Sequence, residues 1–151
     1  MPEVSALLLA LDVHQNSQGL ADIQGVVTAV EWDSAAEPPP DHLPRVLVFA
    51  LVHFDAGEIP GVWESRFEWW QDGTSLVYFE RPPVEVPENF FIVAVRLAAG
   101  KLPVSGDGSY RLCMKLRRNG ETDWGLCLAT TYVDVHVKPV PSDVDDEMEV
   151  V

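Results

Sequence analysis

Positive charge is scarce in this chain of 151 residues. Ten Lys and Arg stand against twenty-four Asp and Glu, a formal charge of −14, and the first Lys or Arg is Arg45. So acidic a surface repels nucleic-acid phosphates and anionic lipid headgroups. Binding to DNA, RNA or a membrane is therefore not expected. Cysteine is scarce too: Cys113 and Cys127 are too few for a disulfide scaffold in a chain of this length, and reduced thiols are the expectation. No apolar run reaches the length of a membrane span. The stretch SALLLAL has no basic residue before it and is flanked by Glu3 and Asp12, so it reads as a strand rather than a signal segment. A cytoplasmic location follows as the expectation. Also missing are CxxC, HExxH, HxH, a P-loop and the G-x-S-x-G elbow. No enzyme activity and no cofactor are expected.

Helical periodicity is lacking as well. No long stretch repeats apolar residues at i, i+3, i+4 and i+7, whereas period-2 runs bounded by turn residues abound. Strands are expected over Val4 to Val13, over Ala21 to Trp32 with a bulge at Gly25, and over Arg45 to Asp55, whose almost wholly apolar RVLVFALVHFD marks a central strand. Val62 to Gln71 and Thr74 to Glu80 form a hairpin about Asp72-Gly73, a favoured two-residue turn. That register sets Trp69 opposite Leu76 and Phe67 opposite Tyr78. Phe90 to Ala98 reads as another buried strand. Tyr110 to Arg118 and Asp123 to Val137 close the series as a hairpin. The segments SAAEPPPDHLP and RPPVEVPEN are stiff crossings that no helix or central strand accepts. About eight strands suit a two-sheet antiparallel β-sandwich, immunoglobulin-like or jelly-roll-like, with a closed β-barrel as the runner-up. Residues 1–137 form one domain. Residues 138–151, with five acids, form an acidic tail too poor in apolar residues to fold alone.

In the last hairpin Tyr110, Leu112, Met114 and Leu116 share one face, while Arg111, Cys113, Lys115 and Arg117 share the other. Placing Trp124, Leu126 and Leu128 in the core puts Cys127 on the outer side with Cys113. One loop register sets the cysteines opposite each other; another sets Cys113 opposite Gly125. A cross-strand disulfide is conceivable, and two reduced thiols are preferred. Arg111, Lys115 and Arg117 form the densest basic cluster, read either as a solvated face or as a dock for an acidic partner or for the acidic tail. In the aromatic hairpin Trp63, Phe67 and Trp69 read as core. Trp70 points the other way, where it either stacks on a ligand or partner or packs under a neighbouring loop.

Three of the four histidines lie two residues from an aspartate: Asp12 with His14, His53 with Asp55, and Asp134 with His136. On a strand such a pair shares a face, and converging pairs would supply metal ligands or an oriented general base. About one residue in six is acidic, so a histidine meets an acid at i±2 roughly 30% of the time by composition alone. These six residues are therefore metal-site candidates only if their strand ends meet.

The order of an opening apolar strand (VSALLLALDV), the strand IQGVVTAVEW, a proline-rich gap, RVLVFALVHF, an Asp-Gly hairpin and a strand opening on Gly108-Ser109-Tyr110 resembles a bacterial family of small proteins of unknown function. The resemblance covers most of residues 4–135; it implies a β-sandwich and lends no catalytic residues, since no activity is established for that family. A longer first crossing and the acidic tail depart from it. Three functions stand as expectations. The first is a non-enzymatic interaction or structural module with a protein partner or itself, most simply a homodimer through an exposed edge or sheet face. The second is a small-ligand or metal-binding domain built on the Asp–His pairs or on Trp70. The third is an acidic regulator of a basic partner.

Overall fold

The computed structural model describes residues 1–18, 20–33 and 41–138. Among them the chain is all-β, without helix, and its nine strands form two sheets. These strands are β1 (Glu3–Gln15), β2 (Ala21–Val26), β3 (Ala29–Asp33), β4 (Leu47–His53), β5 (Gly61–Gln71), β6 (Thr74–Val86), β7 (Ile92–Ala98), β8 (Gly108–Arg118) and β9 (Ala129–Lys138). The first sheet has the order β2-β1-β4-β7 and the second β3-β9-β8-β5-β6. The alternative of a closed barrel is not what the described residues form. Of the tail expected over residues 138–151, Lys138 instead ends β9; residues 139–151, and residues 34–40 of the first expected crossing, lie outside the described residues.

One core joins the sheets. Leu9, Val48, Ala50, Val52 and Val95 from the first sheet meet Phe67, Trp69, Tyr110, Leu112, Met114 and Val133 from the second. Burial of each such large side chain contributes about 1.5–3 kcal/mol. Trp69 stacks on Tyr110 at 5.5 Å and donates its indole N–H to the Pro103 carbonyl at 2.8 Å. The Tyr110 hydroxyl accepts from the Ser105 amide at 2.8 Å. These polar tips fasten the loop before β8 to the core they help to build.

Several expectations are corrected. The stretch from Ala21 to Trp32 is two strands in two sheets. Gly25 takes a φ of +68°, β2 pairs with β1, and β3 pairs in parallel with β9. The chain thus changes sheets at Val27-Thr28, before the proline-rich segment. RPPVEV is not a crossing but the second half of β6. It is accepted because β6 is an edge strand, where proline withdraws no ladder donor from a neighbour. The Asp72-Gly73 turn is formed, with Gln71 opposite Thr74, but a bulge between Trp69 and Trp70 shifts the remaining pairs. Trp69 therefore faces Val77 rather than Leu76, and Phe67 faces and stacks on Phe79 rather than Tyr78. β7 is likewise an edge strand with alternate residues exposed, not a buried one. The last hairpin has a loop from Asn119 to Leu128, because Met114 pairs with Ala129. Leu126 is 83% exposed, and Trp124 lies beneath the Arg117 guanidinium at 4.0 Å. Neither reaches the core expected for it.

Candidate functional site

The two sheets have outer faces of opposite character. On the second sheet the outer face is a lattice of compensated charge. Glu68 accepts from Arg66 at 2.9 Å, contacts Lys115 at 3.2 Å and accepts from the Trp70 indole at 3.3 Å. Arg117 pairs with Glu64 at 2.8 Å, and Arg66 also reaches Glu80 at 3.2 Å. Cross-strand register explains this match: Glu64 faces Arg117, Glu80 faces Arg66, and Glu68, two residues along from Arg66, lies diagonal to Lys115 and compensates both cations. Burial pushes the Glu68 carboxyl up. The Lys115 hydrogen bond and charge, with Trp70 and Arg66, outweigh that and hold it below the ordinary glutamate value.

Two of the four interaction candidates, Lys115 and Arg117, are thus matched by carboxylates of β5. Arg111 and Trp70 lie in one cross-strand row, the guanidinium 5.1 Å from the indole. The reduced-thiol expectation is corrected: Cys113 and Cys127 form a disulfide with a Cα–Cα separation of 5.8 Å. Cys127 lies in the loop, outside β9, and Cys113 is paired in register with Thr130. That loop lies over Cys113, which explains how a thiol on the charged face is buried. It also brings Gly125 and Leu126 beside Trp70 and Lys115.

On the first sheet the outer face is apolar. Phe49 and Leu51 of β4, Leu8 and Ala10 of β1, and Ala94 of β7 point away from the shared core. β1 pairs with β4 only as far as Ala10, while Asp12 to Gln15 pair with β2 alone. The β1–β2 hairpin is therefore an arm extending past the sheet. Val13 has the parity of Leu9, yet it packs with Ala10 and Phe49 on the opposite face, so the arm turns over beyond Ala10. Gly25, at positive φ across from Leu11, sits at this turn, and a Cβ there would lie 2.8 Å from Leu11 Cδ1. Arg96 fastens the arm by donating to the Val13 carbonyl at 2.8 Å.

Arm and sheet enclose an open cleft of about 490 Å³. Phe49, Leu51 and Ala94 form its floor, and Val13, Leu20 and Ala21 its wall. His14 lines one end, with Nδ1 3.3 Å from Asp12 and Nε2 3.4 Å from Asp22. A protonated ring can donate to both carboxylates at once, and a neutral ring to one.

The three Asp–His pairs do not converge. His53 faces Glu3 at the far end of β1 from His14, about 36 Å of strand away, with its Nδ1 4.0 Å from Asp55. Asp134 and His136 lie on β9 in the other sheet, opposite Ala29 and Glu31. Among the described residues no group of three or more His, Cys, Asp or Glu is placed to hold a metal ion. No protein-family model matches the chain, and no curated protein matches it. Sequence reasoning found His14 but missed Arg96 and the cleft. The available signal was the lone charge in IVAVRLA, a cation on a strand otherwise made of apolar residues.

Proposed function

We propose that this protein is a non-enzymatic β-sandwich interaction module that self-associates through the edge of β7, which no other described strand covers. The observation that carries this reading is the contrast among the four sheet edges. An unprotected edge strand is a template for another strand, and proteins blunt edges with prolines, charges, bulges or brevity. β6 carries Glu80, Arg81, Pro82, Pro83 and Glu85, and its pairing shifts register twice. β2 carries Asp22 and the kinked Gly25. β3 has five residues. β7 has no proline, no glycine, no register shift against β4 and one charge. Exposed Phe90, Phe91 and Ile92 extend the apolar surface at its start.

The Ala99 amide donates to Val46, and the Phe91 carbonyl accepts from Phe54. By alternation along the strand, Ile92, Ala94, Arg96 and Ala98 direct their backbone groups away from β4. An antiparallel partner centred on Val95 of a second copy engages all four residues on each side, about eight main-chain hydrogen bonds. The product is a continuous eight-stranded sheet with two-fold symmetry. Analytical ultracentrifugation of the untagged protein and of Ala94→Pro tests this. Proline there removes an outward N–H while sparing the bonds to β4. A wild-type dimer and a folded monomeric variant are expected. Identical sedimentation of both proteins contradicts the proposal.

A cytoplasmic location, the expectation from the sequence, belongs with reduced thiols. The Cys113–Cys127 bond favours an oxidising compartment instead. Thiol trapping in lysed cells separates the two.

A further inference from the structure

The cleft beneath the β1–β2 arm carries a second binding site, built on the outward side chains of Ala94 and Arg96 of β7 and on the arm itself. Its floor and wall are apolar, and its volume of about 490 Å³ falls within the range of small-molecule sites, about 300–1,000 Å³. Among the described residues that line it, Arg96 is the one with a permanent charge. One guanidinium nitrogen is spent on the Val13 carbonyl, which fixes the side chain in place. No carboxylate among the described residues pairs with Arg96. A guanidinium presents five N–H donors in a planar fork that matches a carboxylate. An oriented cation at the border of an apolar trough selects a molecule of matching polarity. Asp12 and Asp22 do not line the trough, and each faces the His14 ring.

We infer that this cleft binds a small organic acid, with its apolar body on Phe49, Leu51 and Ala94 and its carboxylate on Arg96. The fixed arm makes the site preformed, so little ordering cost accompanies binding.

Calorimetric titration with octanoate and with octylamine tests the inference on the full chain. Octanoate is expected to bind once per chain and octylamine not to bind. Arg96→Gln should weaken octanoate by about tenfold to a hundredfold, as for loss of a hydrogen bond to a charged group, and Arg96→Lys, which keeps the charge and loses the fork, should retain the preference for octanoate over octylamine with reduced affinity. Since Arg96 also holds the arm, Ala21→Trp provides a second variant that fills the trough with the Arg96–Val13 bond intact, and it should abolish binding. Octanoate that fails to saturate at millimolar concentration overturns the inference. So does equal binding of octanoate and octylamine, or unchanged affinity in Arg96→Gln. Ala21 lies outside β7, so sedimentation of that variant reports on self-association separately.

Discussion

Reducing the Cys113–Cys127 bond should destabilise the protein by an amount set by the loop it closes. The two cysteines are 14 residues apart. A cross-link closing about 15 residues removes chain entropy from the unfolded state worth about 3 kcal/mol at 25 °C. The native state gains from it as well, because the bond holds the Asn119–Leu128 loop over the buried Cys113. For a domain of this size 1 kcal/mol corresponds to about 2–4 °C in Tm, so a loss of about 6–12 °C is expected. Calorimetry with and without a phosphine reductant measures the loss. Cys127→Ser should reproduce it, since Cys127 is exposed and its replacement leaves no core cavity, and reductant should then have no further effect. Cys113→Ala should cost more, because it also empties a buried position. A Tm insensitive to reductant and unchanged in Cys127→Ser would refute the reasoning.

Three other outcomes are expected. Because the Glu68 carboxyl is held below its ordinary value, the unfolded chain binds its proton more readily. The resulting stability is present above about pH 4.3, the ordinary glutamate value, and is lost as pH falls through the lower folded value. Glu68→Gln should flatten that acid limb in urea titrations and cost about 1–3 kcal/mol at neutral pH, where Lys115 and Arg66 lose a charged acceptor; an unaltered acid limb would argue against the assignment. Gly25→Ala should cost about 1–2 kcal/mol, because its φ of +68° is unfavourable for an L side chain, and it should weaken the arm's packing, read as new exposure of Phe49 in NMR spectra. With a chain charge of −14, two copies repel, so the dimer should tighten as salt rises toward 0.5 M; a dimer weakened by salt would point to an ionic interface instead.

Strands whose pattern is set by one buried face were legible. β1, β4, β5 and β8 place Leu9, Val48, Phe67 and Leu112 in the core as alternation requires, and Asp72-Gly73 turns where its chemistry directs. What escaped depended on neighbours distant in sequence. Local pattern cannot say whether a strand such as β7 lies at a centre or an edge, and IVAVRLA is apolar enough for either. Pro82 and Pro83 looked like a crossing because their tolerance depends on β6 having no second partner among the described strands. The bulges after Trp69 and Trp63 shift register without altering the apolar count. Cys113 and Cys127 pair because a ten-residue loop returns Cys127 over β8, whereas the expected hairpin left two loop registers open and only one of them set the cysteines opposite each other. The cleft was hidden for the same reason. Phe49, Leu51 and Arg96 come under Val13 only once the arm turns over at Gly25, and no spacing within one strand encodes that approach.

The most direct test of self-association through β7 is hydrogen–deuterium exchange of its amides at two protein concentrations. The account predicts that the outward amides of Ile92, Ala94, Arg96 and Ala98 become protected as concentration rises. The amides bonded to β4 should be protected at both concentrations. Outward amides that exchange quickly at every concentration, in a protein that remains folded, would contradict it.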